Sequence, residues 1–349
     1  MPSSAETVQL GPLLDLVEQV TGGVAPLSVV EMPGGASTRR FFRVKLDPQR
    51  SSVAMFVPEA GKPDEIVKVD ERGRRWPFLE VRELLEANGV AVPKVLGDAC
   101  HQGFLLVEDL GDDTLARYLD GAPDRRERLY QLAVLDLSRA QDALSTLPAD
   151  SIVTQRAFDY DLLRWEIDHF REWALEARSV ALSTSERAVF DRAAAHIART
   201  IASWPRGFVH RDYQSRNLMV RGGRGDERLV WIDFQDALLG PRVYDLVALL
   251  NDSYQTFDDA FVTARLDEYA THRGLDANER AAVGREFDLV TVQRKLKDAG
   301  RFVFIEHKKG DSSYLKFVAP TIDKARRALA RLPDDPILRD LGALLDRLK

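Results

Sequence analysis

The sequence predicts an α+β protein with a strand-rich first lobe and a mostly helical second lobe. The chain has 349 residues, more than one ordinary hydrophobic core usually serves. Short apolar runs separated by Gly and Pro turns are concentrated before residue 109, which is typical of an antiparallel sheet. Long stretches with apolar residues at helical spacing follow. We therefore expect one lobe over residues 1–108 and a second over residues 109–349.

The first lobe is predicted to contain two helices and five strands. The helices cover residues 8–21 and 77–89, and the strands cover residues 28–30, 40–46, 52–57, 94–96 and 104–107. The second helix has Pro77 at its start and Gly89 at its end, which is the usual asymmetry of helix termini.

The second lobe is predicted to be helical around a small β insertion. Its predicted helices cover residues 124–145, 159–178, 185–203, 243–251, 257–272, 279–306 and 320–331. The segment from Phe208 to Asp233 contains short apolar runs and a Gly-rich turn, which favour strands.

Composition excludes several classes of protein. Cys100 is the only cysteine, so an internal disulfide and cysteine-based zinc clusters are excluded. The net charge of −6 disfavours nucleic acid as a partner, because phosphate backbones demand a basic face. The sequence lacks an apolar run long enough to cross a membrane and a secretory signal, so we expect a cytoplasmic protein without a membrane partner. It does not reveal the oligomeric state, for which a monomer is our default expectation.

The segment from His210 to Asp236 carries the chemical signal. Two apolar runs flank a Gly-rich turn, which predicts a hairpin. If the turn is centred near Gly225, Asn217 and Asp233 lie opposite each other at its open end. Both offer hard oxygen ligands of the kind that Mg²⁺ prefers.

Asp212 precedes Asn217 by five residues, in the turn that enters the hairpin. The pattern H-R-D-x4-N followed by I-D-F matches the spacing of catalytic loops for phosphoryl transfer, in which a carboxylate orients the attacking hydroxyl. His210 and Arg211 are expected to brace this loop, and Asp245 is expected to support it from the start of a helix.

Three motifs resemble those of the aminoglycoside phosphotransferase family, which shares a bilobal fold with protein kinases. They are HRDYQSRNLM at 210–219, IDFQDA at 232–237 and GPxxYDLV at 240–247. More narrowly, they are similar to the bacterial anomeric sugar kinases of cell-wall recycling. The resemblance implies an ATP- and Mg²⁺-dependent kinase that phosphorylates the anomeric hydroxyl of N-acetylmuramate or N-acetylglucosamine. It also implies that Asp212 is the catalytic base and that Asn217 and Asp233 bind the metal.

The resemblance also implies where ATP is bound, with the first lobe as the nucleotide-binding lobe. The candidates are the phosphate-loop residues Gly35, Ser37 and Thr38 and the hinge residues Val107, Glu108, Asp109 and Leu110. Kinases usually carry a phosphate-binding lysine on the third strand, where this chain has Met55. Arg43 or Lys45 on the preceding strand are the expected replacements.

Candidates for the acceptor site come from three parts of the second lobe. They are Gln214, Arg216, Gln235 and Asp236 near the catalytic loop, Glu166, His169 and Trp173 on one helix face, and Arg294 and Lys297 near the C-terminus. The helix-face residues have i, i+3, i+7 spacing, and Arg294 or Lys297 could meet an acidic substituent such as a lactyl carboxylate.

Two other functions stay open. The same chemistry could act on another hydroxyl compound, namely an aminoglycoside, choline, homoserine or a different sugar. The absent lysine at Met55 is also compatible with a nucleotide-binding pseudokinase, although Asp212, Asn217 and Asp233 argue against it.

Overall fold

The computed structural model describes residues 8–33, 39–57 and 76–348. Within them the chain divides into two compact units. The first contains the described residues up to 57 together with residues 92–112, and the second contains residues 76–91 and 113–348. The helix that follows Trp76 therefore belongs to the second unit. The predicted division into residues 1–108 and 109–349 stays a prediction.

The first unit is built on a five-stranded antiparallel sheet with strand order β1-β2-β3-β5-β4. The strands are β1 (Ser28–Glu31), β2 (Arg40–Lys45), β3 (Ser51–Phe56), β4 (Val95–Ala99) and β5 (Phe104–Glu108). These positions confirm the predicted meander and the two later strands.

One face of this sheet is covered by helix α1 (Gly11–Thr21). Leu13, Leu16 and Val17 of the helix are buried against side chains that alternate along β2 and β3, such as Phe42 and Ala54. The opposite face carries Arg43, because neighbouring residues of a strand point to opposite sides.

The second unit contains ten α-helices among the described residues. They are α2 (Pro77–Ala87), α3 (Leu115–Gly121), α4 (Arg126–Ala143), α5 (Tyr160–His169), α6 (Thr184–Ala202), α7 (Tyr244–Leu250), α8 (Asp259–His272), α9 (Ala277–Lys309), α10 (Val318–Ala330) and α11 (Pro336–Arg347). Two strand pairs complete it, β6 (Arg206–Val209) with β9 (Leu238–Pro241) and β7 (Leu218–Arg221) with β8 (Arg228–Trp231).

Some sequence predictions for this unit are wrong in detail. The predicted helix 159–178 is α-helical only to His169, and a π-helix follows over Phe170–Leu175. Helices α3 and α11 and strand β9 were not predicted. Strand β9 is four residues long, and it is defined by pairing with β6, which is distant in sequence.

The β7–β8 hairpin differs by one residue from the predicted register. Leu218 pairs with Trp231, and the amide of Ile232 donates to the carbonyl of Asn217 at 3.0 Å. Position 217 therefore lies opposite 232 rather than 233. The six residues between the paired Arg221 and Arg228 are an even number, so the turn is not centred on Gly225.

Candidate active site

The His210–Asp212 loop is fixed from behind by a buried carboxylate. Asp245, in the first turn of α7, accepts hydrogen bonds from the amides of His210 at 2.7 Å and Arg211 at 3.0 Å. This confirms the supporting role expected for Asp245. Burial raises its pKa to about 7, although the two amides oppose that shift. Arg211 has a φ of 80°, a left-handed conformation that is uncommon for a residue other than glycine.

His210 completes the support of this loop with its ring. Its Nε2 lies 3.0 Å from the carbonyl of Ile232, and its Nδ1 accepts from the amide of Asp212 at 3.3 Å. Burial lowers the pKa of His210 to about 4, so the ring is neutral near pH 7. With Nδ1 as an acceptor, the proton resides on Nε2. His210 therefore braces the loop and connects it to the end of β8.

Asp212 is held by an arginine that is distant in sequence. Arg294 of α9 donates to Asp212 Oδ1 at 3.0 Å and to the carbonyl of Arg211 at 2.7 Å. The Arg294 side chain is 1% exposed, whereas that of Asp212 is 35% exposed. Burial by itself raises the pKa of Asp212, but Arg294, Lys297 and Arg211 hold it well below its usual range. Asp212 is therefore an ionised carboxylate with one accessible side.

This contact gives Arg294, which was predicted to bind the acceptor, a partner within the protein. Its guanidinium donates to Asp212 and to the Arg211 carbonyl, and its Cζ atom lies 5.0 Å from the ring centroid of Tyr244. A buried and occupied guanidinium is not available to an acidic substituent of a substrate. We interpret it as a residue that positions Asp212.

Asn217 and Asp233 lie together as predicted, despite the changed register. Asn217 Nδ2 lies 3.5 Å from Asp233 Oδ2 and donates to the carbonyl of Asp212 at 2.8 Å. Asp233 has a φ of 64°, so the chain leaves the strand direction there. Gln235 donates to Asp233 Oδ1 at 2.8 Å and to Asp236 at 3.0 Å, so it joins the two carboxylates.

The donor set at Asn217 and Asp233 fits magnesium. Asp233 is exposed, and with the amide oxygen of Asn217 it offers two hard oxygen ligands. Mg²⁺ is usually held by one or two such groups, with phosphate and water completing its shell. The described residues contain no group of three or more His, Cys, Asp or Glu side chains arranged for a metal. Phosphate oxygens and water would complete the shell of a metal ion held by these two groups.

The three residues predicted to form one acceptor-binding helix face, Glu166, His169 and Trp173, contact different parts of the protein. Glu166 is buried and accepts from Arg211 at 3.2 Å and from Gln293 at 2.7 Å, so its carboxylate braces the loop. His169 and Trp173 instead pack on Phe304, with ring centroids 5.8 and 5.0 Å away. The π-helix after His169 changes the predicted spacing. This placement does not support direct sugar binding by Glu166.

Two candidates lie beside Asp212 on the catalytic loop. Gln214 Nε2 lies 3.3 Å from Asp212 Oδ1. Arg216 is exposed, and its guanidinium lies 3.6 Å from the ring centroid of Tyr254. The Tyr254 ring also packs edge-on against Phe317 at 5.0 Å. Tyr254 was not predicted to lie near the catalytic loop, because nothing in its local pattern connects the two.

Lys297 lies one turn beyond Arg294 in α9. Its ammonium is 3.4 Å from Asp298, and its side chain is 16% exposed. Asp298 also pairs with Lys295 at 2.7 Å and accepts from Ser253 at 3.1 Å. Burial by itself lowers the pKa of Lys297, but Tyr244 and Asp298 raise it above its usual value. Lys297 is therefore a charged and partly accessible group.

The first unit places Arg43 and Lys45 on the sheet face that α1 does not cover. Both line a cavity of about 570 Å³ together with residues of β1 and of the β2–β3 turn. The Arg43 guanidinium is held by Asp109 at 2.9 Å and by Asp112 at 2.8 Å. Because these two carboxylates already pair with the Arg43 guanidinium, Lys45 is the better candidate for binding a phosphate of ATP.

The remaining predicted nucleotide contacts are only partly described. Gly35, Ser37 and Thr38 lie outside the described residues. In the expected hinge, Val107 is within β5, and the amide of Glu108 donates to the carbonyl of Lys94 at 2.8 Å. Asp109 accepts from Ser51 at 2.6 Å, and Leu110 is buried. The Asp109 side chain thus has a structural partner, and the roles of this segment in ATP binding stay a prediction.

A kinase-like fold with this loop defines a phosphotransferase. The chain belongs to the phosphotransferase enzyme family, whose sequence model matches residues 28–281. It is 33% identical to an N-acetylmuramate/N-acetylglucosamine kinase of Pseudomonas aeruginosa, over 100% of this chain and 98% of that protein. It is 29% identical to an enzyme of the same name from Pseudomonas putida, over 97% and 93% of the two chains. The chain is therefore an ATP-dependent kinase.

Solved structures support the fold. A microcompartment-associated aminopropanol kinase superposes with a TM-score of 0.62 and 17% identity, over 89% of this chain and 94% of that chain. At this identity the likeness concerns the fold alone. Among the described residues, no helix is long and apolar enough to cross a membrane.

Proposed function

We propose that this chain phosphorylates the anomeric hydroxyl of an amino sugar, N-acetylmuramate or N-acetylglucosamine or both, to give the sugar 1-phosphate in peptidoglycan recycling. The observation that carries this proposal is the 33% identity over essentially the whole length of a kinase named for these two sugars. A loop with an ionised, partly exposed Asp212 supports the chemistry. Because ATP is an intracellular metabolite, we place the reaction in the cytoplasm.

Asp212 would orient the sugar C1 hydroxyl and accept its proton. The hydroxyl oxygen forms a bond to the γ-phosphorus, the bond from that phosphorus to the bridging oxygen breaks, and ADP leaves. A carboxylate with a lowered pKa is a weak base. Because the transition state of phosphoryl transfer is loose, the rate depends mainly on a correctly oriented hydroxyl. The position of the Asp212 carboxylate therefore matters more than its strength as a base.

Asn217 and Asp233 would hold magnesium, which supplies positive charge against the β- and γ-phosphate oxygens. Gln235 keeps the Asp233 carboxylate in place through its 2.8 Å hydrogen bond. In the first unit, the cavity lined by Lys45 is our candidate for part of the nucleotide site.

A second candidate function keeps the chemistry and changes the acceptor. The fold is shared with aminopropanol kinase and with aminoglycoside phosphotransferases. A polycationic aminoglycoside needs a strongly acidic site. Here Asp212 is surrounded by Arg294, Lys297 and Arg211, which disfavours a cationic acceptor.

A screen of ADP release tests the proposal. N-acetylmuramate, N-acetylglucosamine, glucose, an aminoglycoside and choline are each offered with Mg²⁺ and ATP. We expect turnover with at least one amino sugar, and activity with none of the amino sugars would refute the proposal.

Two variants test the residue roles. Asp212→Asn should abolish turnover while ATP still binds. Asp233→Ala should weaken nucleotide binding only when Mg²⁺ is present. Retained turnover in the first variant, or unchanged Mg²⁺-dependent binding in the second, would remove that residue from its role.

A further inference from the structure

A segment of α9 little longer than one turn, residues 294–298, carries three cations next to the catalytic loop. Arg294 is paired with Asp212, and Lys295 is paired with Asp298. Lys297 contacts the same Asp298, at the longer distance of 3.4 Å. Three cations therefore share two carboxylates. An ammonium in this position can accept a further anion without leaving a carboxylate unpaired.

Accessibility separates Lys297 from its neighbours. The side chains of Arg294 and Lys295 are each 1% exposed, whereas that of Lys297 is 16% exposed. Lys297 lies three residues beyond Arg294 and therefore next to it on one face of α9, and Arg294 contacts Asp212 at 3.0 Å. Among Arg294, Lys295 and Lys297, a substrate held by its reacting hydroxyl at Asp212 thus has Lys297 as the accessible cation.

We propose that Lys297 recognises a carboxylate on the acceptor and thereby determines how well a carboxylated amino sugar is used. This inference rests on the proposed sugar kinase function. N-acetylmuramate carries a lactyl carboxylate on the same ring as its anomeric hydroxyl, and N-acetylglucosamine lacks it. With the first sugar, Lys297 pairs with the lactyl group. With the second, Lys297 keeps its contact with Asp298, so an acceptor without a carboxylate is still tolerated.

The test compares Lys297→Met with the wild-type enzyme on three acceptors: N-acetylmuramate, its lactyl methyl ester and N-acetylglucosamine. We expect the variant to lose about tenfold or more in kcat/KM for the acid, because a charged hydrogen bond is removed. The ester and N-acetylglucosamine should change less than about threefold. The wild type should prefer the acid to the ester, and the variant should not.

Lys308→Met is the matched control, because it makes the same substitution in the same helix at an exposed position. Lys297→Arg keeps the charge and should keep the preference for the acid. Thermal melting of all variants separates a folding defect from a change in specificity. If Lys297→Met loses activity equally on all three acceptors, or loses none on the acid, the inference is wrong while the sugar kinase function stands. If the wild type uses neither sugar, the proposed function fails and the inference fails with it.

Discussion

Asp212 in the catalytic loop is held in position by a partner that is far away in sequence. Asp212 is 82 residues from Arg294, yet the two groups are 3.0 Å apart. The same guanidinium bonds to the Arg211 carbonyl, so its planar fork connects the backbone of the loop to the reacting carboxylate. Arg294 therefore determines the direction of Asp212.

We predict that Arg294→Lys lowers kcat by about tenfold or more while KM changes little. A lysine keeps the charge but is a point donor, so it cannot bond in the same way to both acceptors. Steady-state kinetics with ADP release measures the effect. Arg285→Lys, an exposed arginine on the same helix, is the control and should be neutral. An unchanged kcat in folded Arg294→Lys would contradict the positioning role.

The free energy of unfolding should depend on pH because of His210, whose pKa is lowered by burial. Its pKa is about 4 in the folded chain, and about 6.5 is usual for an unfolded one. Between these values the unfolded chain binds a proton that the folded chain does not. The free energy of unfolding should therefore fall as the pH drops from 6.5 to 4, by about 3 kcal/mol, and this group has no effect above pH 6.5.

Urea unfolding of the wild type and of His210→Gln at several pH values measures this contribution. The variant should be less stable at pH 7.5, because it packs less well, but its stability should fall less between pH 6.5 and 4. The other histidines are common to both proteins and cancel in the comparison. Parallel pH profiles would show that His210 does not carry the effect.

Helix α9 makes direct contacts with the site. It contacts α5 and the catalytic loop. Gln293 and Arg294 bond to Glu166 and to the catalytic loop, and two turns later Gly300 meets the end of α5. A Cβ at position 300 would lie 2.3 Å from the carbonyl oxygen of His169. Glycine is required there by the close approach of backbone, and its neighbour is not a flexible side chain.

Gly300→Ala should destabilise the protein by about 2 kcal/mol, because the helices must separate at this point. Gly284→Ala is the matched control in the same helix. A Cβ there has no atom within 4 Å, so the change should stabilise by about 0.5–1 kcal/mol through helix propensity. Urea unfolding of the two variants checks both signs. Equal effects at the two positions would refute the packing explanation.

At the scale of the whole chain, α2 belongs to the second unit although it precedes β4 and β5. Phe78 stacks on Phe234, with ring centroids 4.9 Å apart, and Glu80 accepts from the amide of Ile152. Phe234 is fully buried and directly follows Asp233. The packing of α2 thus supports the segment that carries a proposed metal ligand.

We predict that Phe78→Ala lowers the free energy of unfolding by about 3 kcal/mol and raises KM for Mg·ATP. Both effects come from the loss of the ring that fixes Phe234. Phe78→Leu keeps most of the buried volume and should cost less than about 1.5 kcal/mol. Urea unfolding and ATP kinetics measure the two quantities. A stable Phe78→Ala with unchanged KM would show that α2 does not support this segment.

Much of the architecture follows from local pattern. The strands of the meander and all of the helices up to α10 except α3 are predicted from alternation, helical spacing and Gly or Pro at their ends. Asp212, Asn217 and Asp233 are predicted as a group because they lie on one hairpin and its entry turn. The predicted register of that hairpin was wrong by one residue, because glycine content does not determine the length of the turn.

The class of fold, the phosphoryl-transfer loop and the candidate metal ligands are predictable from the amino-acid sequence, because they depend on short spacings. The pairing of Arg294 with Asp212 and the burial of Glu166 behind the loop are visible only in the folded chain. The same holds for the greater accessibility of Lys297 than of Arg294 and Lys295. Those assignments depend on which helix faces meet, and contacts between segments some 80 to 130 residues apart leave no trace in a local pattern.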